Sequence, residues 1–453
     1  MILSKIGTWM RRTMDKNGRS ACHGSAAYQY SGLSKFRTRL EIALWASLSF
    51  AMLLASASLA PAQLSSIASS PYTKWTRGPA AATNFFPLAV WLQNPSNAER
   101  YLKAGINTYV GLWEGPTEDQ LAKLKQAGMR VICDQNEVAR RHFDDPTIIG
   151  WMHGDEPDNA QPLENGGGYG PPVAPEKIVT HYRSLSTANP SRPVMLNLGQ
   201  GVAWDGWYGR GVRSNHPEDY PKYLEGCDIA SFDIYPVVHD SPEVAGKLWY
   251  VGHGVERLIQ WSGGQKIVWN CIECTRISNP DRKPTPHQVR GEVWMSLIYG
   301  SRGLIYFVHQ FKPTFREAAL LDDAEMLEAV TALNHQITEL APVLNQKTTA
   351  SSFRSPLESG KSGQVSASAE LVKVDDVAVP VAAMVKQHLD SIYLFAVAMR
   401  DGTTTATFNL SFAAGELIGK VEALGENRTL EHRNGVFKDH FGPWDVHIYR
   451  VGR

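Results

Sequence analysis

The sequence predicts an α/β protein: a (β/α)8 TIM barrel followed by a small C-terminal antiparallel β-sandwich. Three observations predict it. From Phe85 to Leu344, eight short β-favouring runs alternate with amphipathic stretches, the pattern of repeated βα units and a parallel sheet. After Pro342 this alternation gives way to strand-period runs joined by turn residues. No Gly-x-Gly-x-x-Gly follows the first strand and no Gly-x-x-x-x-Gly-Lys-Ser/Thr occurs anywhere, so an open nucleotide-binding sheet lacks its phosphate-binding signal. Eight strands with helices between them over about 260 residues fit a closed barrel better than an open doubly wound sheet.

The chain begins with a segment belonging to neither domain. Residues 1–62 hold eight Lys/Arg and two Asp/Glu, against 45 of each in the whole chain. Within them the apolar run Ile42–Leu54 follows the basic residues and precedes Ala60-Pro-Ala62, a small-x-small cleavage pattern before Gln63. That predicts a signal peptide with a long leader, cleaved near Ala62, and a secreted or periplasmic protein without stable membrane insertion afterwards. An uncleaved anchor is the alternative reading of the same run. Residues 63–84 form an N-terminal extension. Without the leader the chain is mildly acidic, with 37 basic and 43 acidic side chains. The whole chain is formally neutral, which gives no electrostatic footprint for wrapping nucleic acid. With 43% hydrophobic and 10% aromatic residues, the composition fills a large core and excludes a disordered chain.

The barrel is bounded by residues 85 and 344. Its strands are expected at Pro87–Leu92, Thr108–Trp113, Arg130–Cys133, Ile148–His153, Pro193–Asn197, Ile229–Tyr235, Lys266–Asn270 and Gly303–His309. The helices between them carry readable punctuation. One begins at Thr117 with Gln120 three residues on, a capping box, and stops at Gly128. Another runs from Ser96 to Gly105, and later ones span 174–186, 288–299 and 322–340. Residues 345–453 form the β-sandwich. There the runs Ser391–Met399 and Thr403–Leu410 around Asp401-Gly402 predict a hairpin.

A barrel of this kind carries its site at the C-terminal ends of the strands, so the polar residues there are read first. Glu156 follows strand four in Trp151-Met-His-Gly-Asp-Glu-Pro-Asp158, and Glu273 follows strand seven in Trp269-Asn-Cys-Ile-Glu-Cys-Thr275. A carboxyl pair flanking one bond is what glycoside hydrolysis requires, one to protonate the leaving oxygen and one to attack or stabilise the anomeric carbon. Trp91, Trp113 and His309 end strands one, two and eight, and Trp204 and Trp207 lie in the loop after strand five. These are candidate sugar platforms, with core packing as the alternative. Asn197 and Asn270 are candidate hydroxyl partners. The Gly-rich stretch Asn165–Pro172 is a candidate rim of the cleft. Cys271 and Cys274 have redox or zinc-pair spacing but no second pair, so packed thiols or one disulfide are expected.

On these residues the chain resembles the clan A retaining glycoside hydrolases, whose barrels carry a catalytic Glu after strands four and seven. The resemblance covers roughly residues 85–345. It implies that Glu156 is acid/base and Glu273 nucleophile in a double displacement on β-linked oligo- or polysaccharides, the two about 5 to 5.5 Å apart. It implies no cofactor and no metal. Tyr235, in Asp233-Ile-Tyr-Pro236, matches the Tyr that hydrogen-bonds the nucleophile. Many members have Asn before the acid/base to bind the sugar 2-hydroxyl. This chain has Asp155, a second carboxylate that would raise the pKa of the pair. Two other readings compete. A metal-dependent lyase or isomerase would use Asp134, Asp155, Asp233 and Glu273 as ligands, although no Lys base stands at a strand end. A non-catalytic carbohydrate-binding barrel would keep the cleft and lose the chemistry.

Overall fold

The computed structural model describes residues 70–163, 167–352, 371–412 and 417–452. The expected leader, the first residues of the rim stretch and the Gly/Ser-rich loop 359–363 lie outside them. Nine short strands form one all-parallel sheet: β1 Leu88–Trp91, β2 Thr108–Val110, β3 Arg130–Cys133, β4 Ile148–Met152, β5 Val194–Leu198, β6 Ile229–Phe232, β7 Ile267–Val268, β8 Asn270–Glu273 and β9 Leu304–Phe307. β7 pairs with β6, and β8 pairs with β9, which pairs with β1. Only Trp269 separates β7 from β8, so they are two halves of the seventh barrel strand and the sheet closes on itself. The barrel read from the sequence is present. The split displaces one expectation: the seventh strand continues to Glu273, so that residue ends the strand rather than following it.

The helices obey their caps. α1 (Ala98–Lys103) is preceded by a 3-10 turn at Pro95–Asn97. α2 (Glu118–Ala127) has the Thr117–Gln120 capping box and ends at Gly128 with φ 75°, the left-handed geometry that favours glycine. Then come α3 (Glu137–Arg141), α4 (Pro175–Ala188), α5 (Tyr220–Leu224), α6 (Tyr250–Trp261), α7 (Pro286–Ile298) and α8 (Ala324–Leu344). Tyr72, in the N-terminal extension, is buried, accepts a hydrogen bond from Trp269 Nε1 and donates one to the Arg302 carbonyl. Arg302 precedes β9, which puts this contact at the N-terminal end of the barrel strands.

Beyond α8 the chain forms two antiparallel sheets. One has six strands in the order β10 (Thr348–Ser351), β12 (Val381–His388), β13 (Ser391–Ala398), β18 (Val446–Gly452), β15 (Ile418–Ala423) and β16 (Arg428–Leu430). The other has three, β11 (Val372–Val374), β14 (Thr404–Asn409) and β17 (Val436–Phe441). The expected Asp401-Gly402 hairpin does not form. β13 is occupied on both edges by β12 and β18, so at Asp401-Gly402 the chain crosses to the other sheet, where β14 pairs with β11 and β17. The tight hairpin is instead β12–β13, turning at Leu389-Asp390 with His388 opposite Ser391.

Candidate active site

The end of β4 is built to present Glu156 in one strained geometry. Its backbone has φ 45°, a region costly for a non-glycine residue, and Pro157 follows. Three hydrogen bonds hold it there. Its N–H donates to the Asn197 carbonyl at 3.2 Å, and its carbonyl accepts from Asn159 N–H at 3.0 Å and Gln161 Nε2 at 3.2 Å. Asp158 anchors the same loop, accepting from Gly199 N–H at 2.9 Å and the Tyr220 hydroxyl at 2.9 Å. Leu92, Glu114 and Ile277, all just past strand ends on this face, share the left-handed backbone. Strain therefore concentrates at the mouth of the barrel.

Around Glu156 the structure gathers two further carboxyls. Asp155 is half-buried and accepts from Asn197 Nδ2 at 2.8 Å, while Asn197 Oδ1 accepts from the Ser231 hydroxyl at 2.8 Å. Asp233, directly after β6, is 6% exposed. Burial pushes the Asp233 carboxyl well above its usual range, and the charges of Glu156 and Asp155 push it further. Asp155 is raised in the same way, by burial first and then by Glu156. Tyr235 is buried, its ring 5.1 Å from that of Phe307.

Glu273 is placed differently. It is 0% exposed, and its two oxygens accept from the main-chain N–H groups of Val237 at 2.6 Å and Val238 at 3.1 Å. Its carboxyl is pushed up to about 7 by burial, against the lowering effect of those two amides and of Glu292 on α7. None of Asp155, Glu156 and Asp233 contributes to that shift. Tyr235 is not among the hydrogen-bond partners of Glu273. Asp134, after β3, stands apart, raised to about 6 by desolvation alone. The four carboxylates considered as metal ligands are thus not brought together. Among the described residues no group of three His, Cys, Asp or Glu side chains is arranged to hold a metal ion.

The aromatic candidates divide by exposure. Trp91, Trp207 and His309 are buried, and burial lowers His309 to about 4, which keeps its imidazole neutral. Trp113 and Trp204 are half-buried. Trp204 donates to Glu243 at 2.8 Å and lies 6.1 Å from Trp207. Tyr208, 4.5 Å from Trp207 and 62% exposed, is a further candidate platform, not singled out in the sequence. Asn270 turns away from the mouth to the Ser296 hydroxyl. Cys133, Cys227, Cys271 and Cys274 are free, buried thiols. Asp233 was visible as part of the Asp-Ile-Tyr-Pro segment but not as a partner of Glu156. The missed signal was its spacing of two from Ser231, which puts both on one face of β6.

No protein-family model matches the chain, and no curated protein does. It is similar to several solved structures. They include AmyP in complex with maltose, at 10% identity over 82% of this chain and 97% of that one, TM-score 0.49. An α-amylase from Geobacillus thermoleovorans complexed with acarbose is 8% identical over 82% and 99%, TM-score 0.47. A β-galactosidase from the psychrophilic Marinomonas ef1 is 13% identical over 56% and 60%, TM-score 0.40. At identities this low, the chemistry rests on the site itself.

Proposed function

We propose that this chain is a glycoside hydrolase that cleaves β-linked glycans with retention of configuration at the mouth of its barrel. The observation that carries this reading is a pair of neighbouring carboxyls at the barrel mouth, Glu156 on a strained backbone and Asp233 raised by burial and by the Glu156 charge. Glycosidic cleavage needs a proton for the departing oxygen and a negative charge for the anomeric carbon, and such a pair supplies both. Retention is what the sequence resemblance implies. Trp113, Trp204 and Tyr208 offer π faces for sugar C–H groups. The β-linkage rests on the sequence resemblance alone. The basic leader and its apolar run support action outside the cytoplasm.

The test is hydrolysis of a panel of 4-nitrophenyl α- and β-glycosides and of β-glucan, mannan, xylan and galactan, by the wild type and Glu156→Gln. Turnover of a β-glycoside that drops by a factor of about 10² or more in the variant is expected. Turnover of α-glycosides alone would remove the linkage assignment. Binding of a polymer without turnover would return the chain to the binding-protein reading, and activity lost only to chelator would favour the metal enzyme.

A further inference from the structure

We infer that Trp207 is a positioning residue that couples the aromatic rim after β5 to the backbone of Glu156, and that the substrate is a glycan long enough to lay a sugar on that rim. The inference rests on the glycosidase reading and names the substrate class of that same site. Trp207 is buried, and its Nε1 donates to Asn159 Oδ1 at 2.9 Å. Asn159, buried too, donates its N–H to the Glu156 carbonyl at 3.0 Å. Two further bonds tie the same pair of loops: Ala160 N–H donates to the Gly209 carbonyl at 2.8 Å, and Arg210 Nε to the Asp158 carbonyl at 3.3 Å. The Trp207 ring meets Tyr208 at 4.5 Å and Trp204 at 6.1 Å. A Cβ on Gly209 would collide with the indole, so glycine is what lets the backbone pass there. His239 closes the cluster, 5.4 Å from Trp204 and held at both ring nitrogens, by the Gln200 amide oxygen at 2.8 Å and Ser241 N–H at 3.0 Å.

A backbone at φ 45° relaxes unless its surroundings hold it. The Glu156 carbonyl is held by Asn159 and Gln161, and Asn159 is held by Trp207, so the indole N–H is a link through which the rim bears on Glu156. A sugar whose C–H groups stack on Tyr208 and Trp204 immobilises the rim, and the Trp207 bond passes that restraint to the Glu156 loop. Binding energy from a remote sugar then appears in the transition state rather than the ground state, which raises kcat with glycan length and leaves KM nearly level. A substrate too short for the rim leaves Glu156 without that restraint.

The experiment uses the full chain on a ladder of oligosaccharides built from whichever sugar the wild type cleaves in the panel above. If the wild type cleaves nothing in the panel, the glycosidase reading fails and this inference with it. Otherwise wild-type kcat is expected to rise by about tenfold or more from the shortest member to the longest. Trp207→Phe, which keeps a ring and removes the N–H, is expected to erase that rise, lowering kcat on the longest member about tenfold with KM within about a factor of two. Asn159→Leu keeps its own N–H to Glu156 but offers Trp207 no acceptor. It is expected to match Trp207→Phe, and the double variant to add nothing, because both remove one bond. Tyr208→Ala changes an exposed side chain, so the fold survives it, and is expected to lower kcat on the longest member toward that on the shortest. A wild-type kcat independent of length, a Trp207→Phe effect on KM alone or equal on short and long members, or additive losses in the double variant would overturn the inference while leaving the glycosidase reading standing.

Discussion

At the scale of single residues, burial and neighbouring charge govern the carboxyls of the site. Asp233 is held up by burial, by Glu156 and by Asp155, with Tyr235 and Cys271 packed beside it and Asp158 behind Asp155. A raised acid keeps its proton to higher pH and loses it as pH climbs, so kcat/KM on a poor leaving group should fall on the alkaline side. In Asp233→Asn that alkaline limb should vanish, and a limb that persists would assign the titration elsewhere. Glu273 titrates too, but into stability. Its carboxyl sits at about 7 in the fold against an ordinary 4.5, so the stability it contributes is present in full below about pH 4.5 and is lost as pH rises through 7. Urea unfolding at pH 4.5 and 8 should show that loss in the wild type and a smaller one in Glu273→Gln. Glu156 was legible in the sequence because an acid before Pro at a strand end is a local signal. The distance between Glu156 and Asp233 was not, since it depends on the side-chain direction of two strands separated by a third. Glu273 was legible as a strand-end acid; its bonds to the Val237 and Val238 amides were not, because those amides come from the loop after β6.

At the scale of elements, what was legible followed burial. The barrel strands are mostly apolar because both faces are covered, as in Leu88–Trp91 and Leu304–Phe307, and such runs mark themselves. The Asp401-Gly402 turn was legible as a turn and misleading as a hairpin. Turn chemistry says that the chain bends; which sheet the next strand joins is decided by the edges still free, and β13 has none. A contact that holds β6 in place offers a test at this scale. Gly254 on α6 faces the Phe232 ring, and a Cβ there would come within 2.3 Å of it. The ring lies between helix and strand and has nowhere to withdraw, so Gly254→Ala should cost roughly 1–3 kcal/mol by overpacking. Because Phe232 directly precedes Asp233, the same change should lower kcat more than Gly128→Ala, which strains a left-handed helix cap but meets no atom within 4 Å. Denaturant midpoints and initial rates on the two variants check this, and equal kcat would disconnect β6 position from catalysis.

At the scale of the whole molecule, the barrel and the sandwich share one core. Ala382, Met384, Phe395, Val397, Val446 and Ile448 of the six-stranded sheet belong to the same apolar cluster as the outer faces of the barrel strands. The Trp294 ring on α7 stacks on Phe395 of β13 at 5.4 Å, with the planes 16° apart. The second cluster, around Phe408 and Phe437, lies between the two sheets and touches the barrel through them only. A sheet that gives one face to the barrel and the other to its own partner sheet cannot lose one without baring the other. Unfolding should therefore be a single calorimetric transition, not one for each domain, with calorimetric and van't Hoff enthalpies in agreement. Phe395→Ala removes the stacked ring at the junction and should cost about 3–5 kcal/mol, moving that transition down while keeping it single. Two resolved transitions in the variant, with the upper one at the wild-type temperature, would mean that the barrel holds itself up and the sandwich is an independent passenger. A single shifted transition would make the sandwich part of what fixes α7, and with it the Glu273 anchor under the loop that carries Asp233.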